Sequence, residues 1–171
     1  MEPIDTSKII WIKSVDNKHG DIWAYSGEDP AKRHFEPQRA GDEFKLHWPN
    51  AKHANAMRPR RDDVICLIQH MHVTHLVKVC DDQPHDRPAE DCRPGSEDAH
   101  YAVARRVRVL AMRGKGRAPH YSQALRFIPG LQGGPCCEIE QLKRFKESRW
   151  PAQGGLSALQ QHLVRMFTSQ A

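Results

Sequence analysis

The densest side-chain chemistry in the chain lies in six consecutive residues, His70-Met71-His72-Val73-Thr74-His75. Imidazole is the commonest protein ligand for transition metals, and on a strand residues i and i+2 share a face. His70 and His72 would then form a His-x-His pair, with Asp62 or Asp63 as a carboxylate to complete a site. His72 and His75 differ in parity, so three imidazoles cannot line one regular strand face. The cluster also falls at the predicted tip of a hairpin, where polar residues are expected without any metal. A small metal-dependent enzyme built on His70, His72 and His75 is therefore the second reading of this chain.

Other catalytic patterns are missing. No Gly-x-Ser-x-Gly elbow occurs, and Gly130-Leu131-Gln132-Gly133-Gly134-Pro135 lacks the Lys-Ser/Thr ending of a phosphate-binding loop. The five cysteines, Cys66, Cys80, Cys92, Cys136 and Cys137, have neither zinc-knuckle nor disulfide-framework spacing. Free thiols are expected, with Cys66 and Cys80 behaving as small hydrophobes in apolar stretches. These absences point to a binding domain with no cofactor, not to an enzyme.

Charge is distributed unevenly. Residues 1–100 carry 14 Lys and Arg against 18 Asp and Glu, whereas residues 101–171 carry 12 against 3. Such segregation can steer a polyanion to one side of a fold. Between Tyr101 and Met112 the valines 103, 107 and 109 share one parity while Arg106 and Arg108 share the other, giving one apolar and one basic face.

The elements that would position these groups are mostly short strands. Residues 8–13, 21–25, 43–48, 64–70, 73–80 and 101–112 alternate or run apolar and β-branched, with turns or prolines between them. The pair 64–70 and 73–80 reads as a central hairpin, residues 51–57 as one or two helical turns, and residues 81–99 as a loop. Ile139, Leu142 and Phe145 are at helix spacing within 138–149. Leu156, Leu159, Leu163 and Phe167 line one face of a last helix. This order predicts a single α+β domain over 1–171: a small, mixed, partly closed β-barrel at about 8–128 with flanking helices, and a C-terminal helical part at about 136–169. The apolar stripe from Leu156 to Phe167 would equally suit a protein–protein interaction module.

Four fragments in order resemble the PUA-like superfamily, its EVE and YTH branches in particular. They are Trp11-Ile12-Lys13-Ser14, Ile22-Trp23-Ala24-Tyr25-Ser26, Pro59-Arg60-Arg61-Asp62-Asp63-Val64 and Leu76-Val77-Lys78-Val79. The third departs from the usual form by one extra residue and by Asp62 where glycine is customary. The resemblance covers about residues 8–112 and implies a reader of modified bases in DNA or RNA. It would hold an extruded base between aromatic walls, for which Trp11, Trp23, Tyr25 and Trp48 are the candidates, with Lys13 and Ser14 at the rim. A base stacked on an aromatic ring gains about 1–3 kcal/mol, and edge hydrogen bonds must recover the rest of the cost of extrusion. Phosphates would lie along Arg105, Arg106, Arg108, Arg113, Lys115 and Arg117 through salt-sensitive contacts.

No run of eighteen apolar residues is present, and Met-Glu-Pro-Ile-Asp-Thr-Ser-Lys lacks the pattern of a secretory signal. The expectation is a cytoplasmic protein without a membrane partner, acting on nucleic acid, with an effector protein encoded separately.

Overall fold

Val64–Gln69 is buried at every position, as a strand covered on both faces must be, and it forms the spine of the molecule. The computed structural model describes residues 3–15, 39–86, 103–114, 116–131 and 134–169. Within them lie strands β1 (Ile9–Ser14), β2 (Glu43–Trp48), β3 (Val64–Gln69), β4 (His72–Val79), β5 (His85–Asp86), β6 (Val103–Met112) and β7 (Cys136–Glu138). The helices are α1 (His53–Ala56), α2 (Tyr121–Ala124), α3 (Lys143–Lys146) and α4 (Gly155–Thr168).

The strands form one mixed sheet in the order β2-β6-β4-β3-β1-β7, with β5 also paired to β6. β1 runs parallel to β3, and the remaining pairs are antiparallel. The sheet curls into an open half-barrel and buries a different cluster on each face. Inside, Ile65, Leu67, Val77, Val79, Val107 and Val109 pack with Trp11, Phe44, Leu46 and Trp48. Outside, Val64, Cys66, Ile68, Val73 and Leu76 pack against Leu159, Leu163 and Phe167 of α4 and against Trp150. Full burial of each large α4 side chain is worth about 1.5–3 kcal/mol, which holds the helix on the sheet.

The edges β2 and β7 are not paired to each other, and a side chain spans the space between them. Asn55 on α1 accepts from the Cys136 N–H (2.6 Å) and donates to the Cys136 carbonyl (2.7 Å), while its oxygen also accepts from the Trp48 indole N–H (3.0 Å). One amide thus supplies β7 with the two backbone bonds that a neighbouring strand would have given.

The predicted strands at 8–13, 43–48, 64–70, 73–80 and 101–112 correspond to β1, β2, β3, β4 and β6, while residues 21–25 lie outside the described residues. The helix predicted over 138–149 is corrected: Cys136–Glu138 joins the sheet beside β1, and only Lys143–Lys146 is α-helical. Pairing with the β1 edge wins over helix spacing because a buried edge strand needs its backbone bonds satisfied. Asp62, in the turn before β3, has φ +69. Aspartate is one of the few residues that tolerates this left-handed conformation, so the turn into β3 keeps its shape.

Candidate functional site

Laterally paired residues of a sheet point to the same side, so the registers assemble one row across the inside of the half-barrel. It runs Cys136, Lys13, Leu67, His75, Met112 through β7, β1, β3, β4 and β6. The row below it contains Trp11, Ile65, Val77 and Val109 and is apolar apart from the indole N–H. Lys13 and His75 are each only 1% exposed, which makes them costly occupants of this position. Two strand spacings, about 9–10 Å, separate their backbones.

β4 carries one extra residue here, because Leu67 pairs with His75 and Ile68 with Val73, leaving Thr74 in the bulge. Bulges re-aim side chains, and this one brings the Thr74 hydroxyl beside the His75 ring. Gln69 Nε2 donates to Thr74 Oγ1 at 2.9 Å, and Thr74 Oγ1 lies 2.9 Å from His75 Nδ1. His75 Nε2 is buried and has no hydrogen-bond partner among the described residues. Burial pushes the imidazole pKa down to about 4, so the ring is neutral at physiological pH.

Lys13 Nζ donates to the Gly134 carbonyl and sits 4.6 Å from the centre of the Trp48 ring. Gly134 has φ +73, and a Cβ there would lie 3.6 Å from Nζ. Burial lowers the Lys13 pKa to about 8, with Cys136 and Cys137 raising it only in part. The neighbouring thiols are not activated in return. Burial raises Cys136 far above its ordinary value in spite of Lys13, and raises Cys137 as well. Cys66 is pushed up to about 12 and Cys80 is raised, again chiefly by burial. A thiolate nucleophile is therefore disfavoured at all four positions.

The structure separates the residues expected to act together. Trp11 and Trp48, expected as stacking walls, are both packed inside the half-barrel. Trp11 Nε1 donates to Asp63 Oδ2 at 2.9 Å, and the Arg58 guanidinium lies over its ring at 5.1 Å. Lys13 lies in the interior row rather than at a rim, and Ser14 follows it at the end of β1. Trp23 and Tyr25 lie outside the described residues.

The expected phosphate track is also divided. Arg105 is corrected outright: it is wholly buried, donates to Asp81 Oδ1 (2.5 Å), and bonds the carbonyls of Ala56, Pro59 and Asp81 at 2.7–2.8 Å. No phosphate can reach it. Arg106 and Arg108 do emerge on the outer surface, both beside Glu43. Arg113 donates to the carbonyls of Met166, Phe167 and Ser169 at the C-terminal end of α4, a capping role that suits a cation. Arg117 is exposed, and Lys115 lies outside the described residues.

The histidine cluster does not assemble as a metal site. His70 and Met71 form the β3–β4 turn at φ +44 and +67, His72 Nδ1 bonds the His70 carbonyl (2.7 Å), and His75 faces the interior. Among the described residues no group of three His, Cys, Asp or Glu side chains is placed to hold a metal. The sequence reading missed Gln69, Thr74, Asn55 and Gly134. A polar residue ending an otherwise apolar strand was the available signal for Gln69, and nothing local marked the others. Among the described residues no helix is long and apolar enough to cross a membrane. Comparison with known proteins gave no match to a family model, to a characterised protein or to a solved structure.

Proposed function

We propose that this domain binds nucleic acid and reads a base at the interior patch of Lys13 and His75, with Gln69 and Thr74 behind the imidazole, in the manner of the PUA-like readers it resembles. The observation that carries the reading is the buried, unpartnered Nε2 of His75 in the same interior row as a buried lysine. A buried donor or acceptor without a partner costs about 1–3 kcal/mol, and a ligand that meets it recovers that cost on binding. Thr74 Oγ1 accepts from Gln69 and pairs with His75 Nδ1, which leaves Nε2 to meet a ligand as donor or acceptor according to the ring's tautomer. His75 Nε2 and the Lys13 ammonium then offer two polar groups on one side of the sheet to the donors and acceptors of a base edge. Trp23 and Tyr25 are the aromatic candidates that remain for stacking. The excess of Lys and Arg over residues 101–171 supplies the attraction for phosphate. Asp62 at φ +69 adds support, because it keeps the glycine-like turn that the resemblance requires. Such a reader performs no turnover and acts beside an effector protein encoded separately.

The test is fluorescence anisotropy of single- and double-stranded oligonucleotides carrying unmodified, methylated or hydroxymethylated bases. Tightening on one modification that is lost in His75→Phe and in Trp23→Ala is the expected result. Equal affinity for every base in the wild type and both variants would refute base reading, and no binding at low salt would refute the nucleic-acid reading altogether.

A further inference from the structure

The C-terminal helical layer carries a second cluster that none of the above uses. The Trp150 indole N–H is anchored on the Leu125 carbonyl, and its ring is flanked by two groups. The Arg126 guanidinium lies 5.2 Å from the ring centre, and the His162 ring lies 5.4 Å away. Arg149 precedes Trp150 directly, and Arg165 follows His162 by three residues, one turn along α4. All three arginines are exposed, and among the described residues none of them pairs with an acid. Glu147, the nearest acid in the chain to Arg149, contacts Lys143 (3.6 Å) and Arg144 (3.4 Å) instead.

We propose that Arg126, Arg149 and Arg165 form a phosphate-binding site that takes a backbone phosphate of a nucleic-acid strand. Guanidinium forks match phosphate oxygens in pairs, and three of them supply more donors than one carboxylate can accept. Convergence of the three charges is seen at His162, whose pKa is lowered by burial first and then by Arg126, Arg165 and Arg149, against the Gln123 carbonyl that raises it. The cluster lies on the α4 side of the sheet, the face opposite the interior row. α2 starts against the β3–β4 turn, where the Tyr121 N–H donates to the Met71 carbonyl at 2.7 Å, and Arg126 follows Leu125, the residue that caps α2. The source of the phosphate rests on the nucleic-acid reading, but base recognition by His75 is not required.

Binding of an unmodified oligo-dT strand is measured over a range of salt for the wild type and for Arg126→Gln/Arg165→Gln. The expected result is about a tenfold loss of affinity at low salt and a salt slope shallower by about 0.7, the value for one phosphate contact on a single strand. The His162 imidazole signals, followed by NMR, are expected to move on addition of oligo-dT or of inorganic phosphate in the wild type only. Unchanged affinity and slope in the double variant would overturn this site while leaving base reading intact. Poly-glutamate binding as tightly as oligo-dT would overturn it in favour of an acidic protein surface. A wild type that binds no oligonucleotide would overturn it together with the proposed function.

Discussion

Replacing Lys13 by methionine isolates what the buried amine costs the fold. Its pKa falls from 10.5 to about 8 on folding. Each unit corresponds to 1.36 kcal/mol, so at neutral pH the folded state carries a penalty of about 3 kcal/mol for holding the ammonium. Methionine fills similar volume without charge but leaves the Gly134 carbonyl unpaired, a loss of about 1 kcal/mol. Lys13→Met is therefore expected to be more stable than the wild type by about 2 kcal/mol at pH 7, or roughly 4–8 °C in Tm for a chain of this size. Between pH 8 and 10.5 the unfolded lysine keeps its proton while the folded one has lost it, so the Lys13 contribution to wild-type stability rises with pH over that window. The difference should shift by about 3 kcal/mol from pH 7 to 10.5, so that the lead of Lys13→Met vanishes and the wild type ends about 1 kcal/mol the more stable. Other groups, Cys136 among them, titrate in both proteins and largely cancel in the difference. Urea unfolding at pH 7, 8, 9 and 10 measures it. A gap that stays constant or widens with pH would show that Lys13 is not held in the environment described. A stabilised variant that also loses oligonucleotide binding is the pattern expected where function, not stability, retains a residue.

His75 provides the acid counterpart: with a folded pKa near 4 against 6.5 unfolded, its neutral form is favoured by folding, and the wild type should lose about 3 kcal/mol as pH falls from 6.5 to 4. His75→Phe should flatten that limb in thermal melts, and an unchanged acid limb would contradict the assigned burial. Arg105→Leu strands the Asp81 carboxylate and the carbonyls of Ala56 and Pro59, for an expected loss of about 3–5 kcal/mol in urea unfolding. Adding Asp81→Leu should restore part of it, and strict additivity of the two losses would argue against a coupled pair. Asn55→Ala should cost about 2–4 kcal/mol and accelerate hydrogen exchange at the Cys136 amide, since that N–H and the Trp48 indole lose their acceptor. Slow exchange retained at Cys136 would show that Asn55 does not hold the β7 edge.

Local pattern alone determined the strands β1, β2, β3, β4 and β6 and the helix α4. Period-two or continuously apolar runs and the stripe Leu156, Leu159, Leu163, Phe167 each report burial of a face, and burial is what makes those segments regular. Charge segregation and the lack of catalytic motifs were equally legible, because both are properties of composition. Tertiary structure decided the fate of the polar residues. Arg105 stands in sequence beside Arg106 and shares its chemistry, yet pleat parity turns one inward to Asp81 and the other out to solvent. Trp11 and Trp48 are candidate walls by residue type alone, and only the fold brings Asp63 and Asn55 to their indole nitrogens. Cys136–Glu138 is too short to show a strand period and became one only because the β1 edge lay beside it. The interior patch of Lys13, Gln69, Thr74 and His75 joins residues up to 62 positions apart through strand register and one bulge. Register depends on which strands neighbour one another, a long-range choice that no window along the chain contains.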